Sequence, residues 1–416
     1  MKMNEFIPER TREIGKFIEE RFVDENGTVY SLIDKKTRLP AEESFFPDAG
    51  PEKEMMDFFV ESYTRSEFVS YENCGMCTGA YMQSLLYRHR VLNDPESLEM
   101  ARRCFGALKR IFEIGKQFEV GFFPKIYGNR FSCQTSTDQV LYSIVAMDHF
   151  YEFASCAERD EIDQMIPQMV GFWVRRNYKY TYFNLKDMQW PLVRFPSFLL
   201  LAYKHSGDSL FQKEYERLQS EGFTSEPQYA QLKAKKEDNQ PSEYEKKHNA
   251  WLIENMADCM TMDTMNLDCL LSLDSGNPLA GKWKNSMLLM WDEAKITLAS
   301  NGKYYVQILV DMDTGELRRP EGYGKAGSGI HGAESGWSTM VARGAVTVAK
   351  YYPGNLEIKK AVVKVLSSFS PDDFTYYDEP ERFSPRYRFK TQFLSGDSIT
   401  NWLWAYWQGR HQGLLN

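Results

Sequence analysis

Apolar residues recur at helical spacing along most of the chain, and this periodicity is what most limits the possible folds. Leu98, Ala101, Phe105, Leu108 and Phe112 are separated by three or four residues, which puts them on one face of a helix. Alternation typical of strands is confined to residues 304–311, which a turn follows, and to residues 374–393. The pattern predicts a mainly α protein with a small β-hairpin element.

Two kinds of predicted helix alternate along the chain. One kind is apolar nearly all round, and its members begin near Cys74, Ser136, Trp190, Ala250, Ser335 and Ser398. The other kind is amphipathic, over about 54–64, 95–117, 158–177, 208–219, 280–299 and 355–368. Six buried and six outer helices favour a closed (α/α)6 toroid. An open solenoid is the competing arrangement, but its repeats are usually self-similar, and these are not.

The length and composition exclude several classes of protein. A toroid of six hairpins accounts for all 416 residues as one domain, 1–416, with a charged, exposed excursion around 220–248. The formal net charge is −8, without a long basic block, so neither nucleic acid nor a membrane is expected as a partner. Seven cysteines and the absence of an apolar leader predict a cytoplasmic location. A signal peptide that had already been removed would instead imply a periplasmic one.

Long loops lead into the buried helices, and they are rich in aromatic and cationic residues. Aromatic faces beside polar groups are typical of sugar-binding sites, so we expect Tyr127, Trp190 and Trp337 to stack on a sugar. Cations in an acidic protein favour a ligand with a carboxylate. The candidates for binding it are Lys125, Arg130 and Arg194. The alternative is that these aromatics only cap the ring and these cations only face solvent.

One aspartate has the position that a general acid would need. Asp138 follows an aromatic loop and falls in the first turn of an apolar helix, where the helix dipole stabilises an anion. It could equally be a helix cap. Hydrolysis of a saturated glycoside needs a second carboxylate. The candidates are Glu334, which His331 and Trp337 flank, together with Asp397 and Glu72.

Two segments resemble the six-hairpin glycosidase superfamily, which includes unsaturated glucuronyl and rhamnogalacturonyl hydrolases. They are Glu72-Asn-Cys-Gly-Met-Cys-Thr-Gly-Ala-Tyr-Met and Thr135-Ser-Thr-Asp-Gln-Val-Leu-Tyr. The resemblance implies that Asp138 is the acid and that Glu72 and Asn73 lie in a similar place one hairpin earlier. We include the neighbouring Gln134 and Gln139, with His331, as candidate substrate-binding residues. The expected substrate is an oligosaccharide that contains uronic acid, and no metal or organic cofactor is expected.

Two other functions remain open at this stage. Sugar epimerases of the same fold use a pair of histidines, which His248 and His411 could supply here. A non-catalytic carbohydrate-binding protein would show the same aromatics and cations without a carboxyl of raised pKa. A lone Cys74-Gly-Met-Cys77 motif lacks a second pair of ligands, so it does not predict a zinc site.

Overall fold

The computed structural model describes residues 3–50, 53, 64–128, 130–182, 185–222, 240–254, 259–304, 307–320, 335–375 and 391–416. Helices dominate these residues, and the strands are short.

Six of the described helices form an inner layer, and two of them, the first and the last, are buried on all sides over most of their length. Every residue from Cys74 to Tyr87 and from Gly396 to Gly409 is buried, which leaves these helices no solvent-facing side. A helix of this kind is stable only where other helices surround it. The inner helices are α3 (Cys74–Leu92), α5 (Thr137–Phe150), α7 (Phe195–Ser206), α10 (Thr264–Leu273), α12 (Ser335–Tyr351) and α14 (Gly396–His411).

An outer layer of amphipathic helices covers the inner one. On the second outer helix, Ala101, Phe105, Leu108 and Phe112 are buried as predicted, while Leu98 at the start of the same stripe is half-buried. The outer helices are α1 (Met3–Arg21), α4 (Pro95–Lys116), α6 (Cys156–Arg175), α8 (Ser209–Ser220), α11 (Ala280–Ala294) and α13 (Leu356–Ser368).

The helix that closes the outer layer is one that the sequence pattern did not predict. Helix α1 packs on α13 and α14 with Ile14 and Ile18 fully buried. Its Pro8 lies inside the helix, a position that normally argues against a continuous helix. The outer helix predicted over 54–64 lies almost entirely outside the described residues. A short helix, α2 (Arg65–Tyr71), leads from there into α3.

The inner helices form a closed ring. Each packs on the next in chain order, from α3 through α5, α7, α10 and α12 to α14, and α14 packs on α3. An open solenoid would leave its first and last helices apart, so contact between α3 and α14 excludes it. The predicted (α/α)6 toroid is therefore confirmed.

The short strands form small antiparallel sheets. The hairpin predicted from residue 304 is confirmed by β5 (Gln307–Asp311) and β6 (Leu317–Arg318), which β4 (Ala250–Glu254) extends to three strands. The buried helix predicted to begin at Ala250 is therefore wrong at that point, because Ala250 pairs with Asp311 in this sheet. The inner helix begins later, after a π-helical turn at Cys259–Asp263.

Two further strand pairs lie in loops that lead into inner helices. Strands β2 (Lys179–Tyr182) and β3 (Leu185–Gln189) form a hairpin where we expected only a loop. Strand β7 (Phe393–Ser395) pairs with β1 (Leu32–Asp34), and Leu394 also bridges to Thr375. Most of the hairpin expected over 374–393 lies outside the described residues.

The excursion around 220–248 is described only at its two ends. Helix α8 ends at Ser220, and α9 (Glu243–His248) begins with a capping box at Ser242. None of the described helices is long and apolar enough to cross a membrane.

Close packing of α3 on α5 requires a glycine. A Cβ atom at Gly79 would lie 2.6 Å from the carbonyl oxygen of Tyr142 on α5. We expect Gly79→Ala to lower the free energy of unfolding by about 1–3 kcal/mol, because the two backbones must separate. Gly106→Ala on α4 is the matched control, since no atom lies within 4 Å of its Cβ position. Urea unfolding should show the control unchanged or up to about 1 kcal/mol more stable. Equal effects of the two substitutions would contradict this role for Gly79.

Candidate active site

The N-terminal ends of the inner helices meet at one rim of the toroid, and the described parts of the long loops lie at the same rim. The links from inner to outer helices are short and lie at the opposite end, as between α7 and α8 at Gly207 and Asp208. Polar residues at the rim therefore come from segments far apart in the chain. They include Glu72 and Asn73 before α3, Asp138 in α5, Arg194 before α7 and Asp397 in α14.

A buried ion pair lies at this rim. The ammonium group of Lys125, which is 1 % exposed, pairs with the carboxylate of Glu72. It also donates to the Glu72 carbonyl oxygen at 3.2 Å and to Asn73 Oδ1 at 3.4 Å. Burial alone would lower the pKa of Lys125, but the carboxylate of Glu72 raises it above its ordinary value. Lys125 is thus a permanent cation whose charge is already neutralised within the protein.

Asp397 is a buried carboxyl in the first turn of α14. Its Oδ1 accepts a hydrogen bond from Cys77 Sγ at 2.9 Å, and its Oδ2 accepts one from Asn73 Nδ2 at 3.3 Å. Burial raises the pKa of Asp397 to about 7, and the charges of Glu72 and Asp138 act in the same direction. The two hydrogen bonds favour the ionised form but do not outweigh burial. Asp397 therefore changes charge near neutral pH.

Asp138 is more accessible than Asp397. It lies half-buried in the first turn of α5, where the helix dipole favours a negative charge. Among the residues that the structure describes, none forms a hydrogen bond or ion pair with its carboxylate. Its charge nevertheless acts on Lys125, Tyr182 and Asp397. Asp138 is thus a carboxyl group at the mouth of the ring that has no structural partner among the described residues, as a group that contacts a ligand would be.

Arg194 presents a cation next to Thr137, the residue that precedes Asp138. It ends the 3-10 turn Leu192–Arg194, and its Nη1 donates to Thr137 Oγ1 at 3.2 Å. Within the described part of the chain it makes no ion pair with an acid. Of the three predicted cations at this rim, Arg194 is the one without an acidic partner in the described ranges, so its charge can act on a ligand. Lys125 is paired with Glu72, and Arg130 is paired with Glu67.

Two of the aromatic residues predicted to bind a sugar are buried and pack against other side chains. Tyr127 is fully buried and stacks on Phe68 with ring centroids 5.7 Å apart. Trp190 is 6 % exposed and packs edge-on against Trp173 and Tyr182, with centroids 5.5 Å apart in each pair. Neither ring has a free face, so neither can stack on a sugar in this structure.

The two predicted glutamines are buried and support the loop. Gln139 Nε2 donates to the Glu72 carbonyl oxygen at 2.7 Å, and the Gln134 carbonyl oxygen accepts from the Lys125 backbone N–H at 2.6 Å. Both therefore hold the ion pair of Glu72 and Lys125 in place. Glu334 and His331 lie outside the described residues. Trp337 falls within α12, but its side chain is not among those described.

Two residues of this site were absent from our predicted set. Cys77 belongs to the motif that we dismissed as a zinc site, and it contacts Asp397 across 320 positions of sequence. Burial raises the pKa of the Cys77 thiol well above its ordinary value, so it donates as a neutral S–H group. Tyr182, in β2, lies close enough to Lys125, Glu72 and Asp138 for their charges to influence its pKa, which burial raises to about 12. The described residues contain no group of side chains suited to a metal ion.

Comparisons with known proteins identify the fold. No family model matches the sequence, and no curated protein sequence is significantly similar to it. A sugar epimerase from a ruminal bacterium is similar in structure, with a TM-score of 0.55 and 12 % identity over 99 % of both chains. The fold of this chain is therefore that of the (α/α)6 toroid enzymes. An unsaturated glucuronyl hydrolase specific for heparin gives a TM-score of 0.52 at 9 % identity, over 98 % of this chain and 97 % of that one.

A third similar structure is the cellobiose 2-epimerase of Bacillus thermoamylovorans. Its TM-score is 0.54 at 12 % identity, and the match covers 97 % of this chain and 99 % of the epimerase. The toroid of this chain therefore resembles those of both hydrolases and epimerases, and the chemistry has to be argued from its own residues.

The structure does not bring together the two histidines that we considered for an epimerase. His411 lies in the last turn of α14, at the rim opposite Asp138, with its ring 5.4 Å from that of Tyr87. His248 ends α9, where its Nδ1 lies 2.8 Å from the Tyr244 carbonyl oxygen.

The raised pKa of Asp397 predicts a specific dependence of stability on pH. Because the folded protein holds this proton up to about pH 7, against an ordinary pKa of 3.8, ionisation should cost stability as the pH rises from about 4 to 7. Asp397→Asn cannot ionise, so its free energy of unfolding should improve relative to wild type over this window. Urea unfolding at a series of pH values measures the difference. Asp160→Asn, on the exposed side of α6, should follow the wild-type curve. Parallel curves for all three proteins would exclude a raised pKa at Asp397.

Proposed function

We propose that this protein is a glycoside hydrolase that acts on an oligosaccharide containing uronic acid. The observation that carries the proposal is the pair of carboxyl groups at the N-terminal rim. Asp138 is accessible and unpaired among the described residues, whereas Asp397 is buried and has a pKa of about 7. Two carboxyl groups in such different surroundings are typical of sites for acid–base chemistry. The similarity in fold to carbohydrate-processing enzymes supports the same conclusion.

Asp138 is the proton donor in this proposal. With a saturated uronide, its proton passes to the glycosidic oxygen as the bond to the anomeric carbon breaks, and a second carboxylate takes a proton from the attacking water. With an unsaturated uronide, Asp138 protonates the carbon–carbon double bond, and water adds to the resulting cation while the Asp138 carboxylate takes back a proton. The hemiketal formed in this way then opens, which breaks the bond to the glycosidic oxygen and releases the second sugar. A second carboxyl has to be ionised to accept a proton, so Asp397 can take this role only above about pH 7. Glu334 is the other candidate from the sequence.

If Glu334 is the second carboxylate, neutralisation of Asp397 would help an anionic substrate to bind. At pH values below about 7, most Asp397 side chains are uncharged, so the rim carries one negative charge fewer beside Asp138. The negative charge of Glu72 is already balanced by Lys125 in the buried ion pair. Arg194 then remains to attract the carboxylate of the sugar.

A sugar epimerase is the second candidate function. The similarity in fold to two epimerases favours it, since they match nearly the whole chain. It would require a base other than the pair of His248 and His411, because these residues lie apart. The assay for hydrolysis should therefore be accompanied by a test for exchange of sugar-bound hydrogen with solvent.

Removal of the acid should abolish hydrolysis but not folding. We expect Asp138→Asn to reduce kcat by about 100- to 10,000-fold, the usual contribution of a general acid. Saturated and unsaturated uronyl disaccharides should both be assayed, by release of reducing ends and by loss of ultraviolet absorbance from the double bond. Asp160→Asn, far from the rim on α6, should retain wild-type activity. A variant at Asp138 with most of the wild-type rate would remove this residue from the mechanism.

Arg194 should affect the KM of charged substrates only. We expect Arg194→Gln to raise KM for a uronyl disaccharide by roughly ten- to a hundredfold, because a hydrogen-bonded charge is lost from the site. For the matching neutral disaccharide, KM should change little. Lys179→Gln, an exposed cation on β2, serves as the control and should leave both values unchanged. An equal rise in KM for charged and neutral substrates would argue against Arg194 as the carboxylate anchor.

A further inference from the structure

A second polar cavity lies inside the ring at the end opposite the candidate active site. It has a volume of about 220 Å³, and all six inner helices contribute to its wall. Asp138 and His149 lie eleven residues apart on α5, so the two sites are separated by roughly 16 Å along that helix. One lining residue from each inner helix is Tyr87, His149, Lys204, Asp268, Arg343 and Gln408.

Arg343 is the central residue of this cavity. It is fully buried, with its guanidinium 4.8 Å from the ring of Trp404 and its Nη2 donating to the Thr261 carbonyl oxygen. Its Nε and Nη1 atoms are buried without a hydrogen-bond partner among the described residues. Burial of unpaired donors on a charged group is costly, so such donors normally have a partner. An arginine keeps its proton even when buried, and its positive charge therefore remains.

The other charges around the cavity are already compensated. Lys204 pairs with Asp148 at 2.5 Å, and Asp268 pairs with Lys350 at 2.6 Å. His149 is uncharged at neutral pH, because burial lowers its pKa to about 4. Within the described residues, Arg343 has no acid at ion-pair distance. Among the described residues, the charge of Arg343 is therefore the one around the cavity that is not compensated. A single uncompensated positive charge suits an anion with a single negative charge.

The remaining polar atoms indicate the shape of that anion. Trp404 Nε1, a donor, and Gln408 Oε1, an acceptor, both belong to residues that line the cavity, and both are buried without a partner among the described residues. Donors on Arg343 and Trp404 suit the oxygens of a carboxylate, and the Gln408 oxygen suits a hydroxyl group. Lys204 and Ser272 line the cavity and are exposed, so the cavity reaches the surface.

We propose that this cavity binds a small hydroxycarboxylate with a single negative charge, through Arg343. The ligand completes the hydrogen bonds of the buried guanidinium and neutralises its charge. This site is independent of the proposed hydrolysis, which takes place at the other rim. Its volume is below the range of pockets for larger organic ligands, which limits the ligand to a few heavy atoms.

Isothermal titration calorimetry of the full chain with sodium glycolate at neutral pH tests the proposal. We expect saturable binding at one site per chain, weaker binding of acetate, which lacks the hydroxyl group, and none of chloride at matched ionic strength. Arg343→Gln should weaken glycolate binding by at least about tenfold, since a charge-assisted hydrogen bond is lost. Thr347→Leu places a larger side chain in the cavity and keeps the Arg343 guanidinium, and it should abolish binding. This second variant keeps the test decisive if Arg343→Gln fails to fold.

The variant Arg194→Gln tests at which end of the ring glycolate binds. If glycolate occupies the proposed cavity, this variant at the opposite rim should bind it with unchanged affinity. Loss of binding in Arg194→Gln, with binding retained in Thr347→Leu, would place glycolate at the candidate active site and overturn the proposal. Absence of saturable binding to the folded wild-type protein would overturn it as well.

Discussion

Packing of the first inner helix on the last one is the constraint on which the rest of this structure depends. Helices α3 and α14 are both buried along almost their entire length, so each needs the other to cover an apolar side. Their contact closes the ring and places residues that are more than 300 positions apart at one rim. Without this closure, Asp397 would meet neither Asn73 nor Cys77, and its carboxyl would face water.

The charge properties of the rim follow from that burial. A carboxyl enclosed by a thiol and an amide loses more hydration than two hydrogen bonds restore, so its pKa rises to about 7. Lys125 is equally buried but has the Glu72 carboxylate beside it, so its charge is kept. Asp138 differs from both, because it is only half-buried and has no hydrogen-bond or ion-pair partner among the described residues. Three acidic groups within one rim thereby have three different environments, which is what acid–base chemistry on a sugar would require.

The part of the site that could be predicted is the part that depends on local pattern. Asp138 could be placed at the start of a buried helix because helical periodicity begins directly after it. The aromatic residues of the loops could be recognised, but their orientation could not. Tyr127 and Trp190 pack inward between the loops and the helices of the ring. Burial of a large aromatic side chain stabilises the folded state more than leaving it exposed to solvent. For Cys77 and Arg343, the only signal was a polar or reactive residue within an apolar helix, which has no single interpretation.

Most of the alternation of buried and amphipathic helices, and with it the closed toroid, could be predicted from the sequence alone. Hydrophobic periodicity is a local property of the chain, and six helices that are largely apolar have few ways to be covered. The outer helix Met3–Arg21 and the strand at Ala250 were the exceptions. Which charges are compensated depends on the tertiary structure. Among the described residues, Lys125 is paired, Arg194 has no acidic partner, and Arg343 is enclosed in the wall of a cavity. These differences arise from distances between residues far apart in sequence and from the burial around them, because electrostatic energies depend on both.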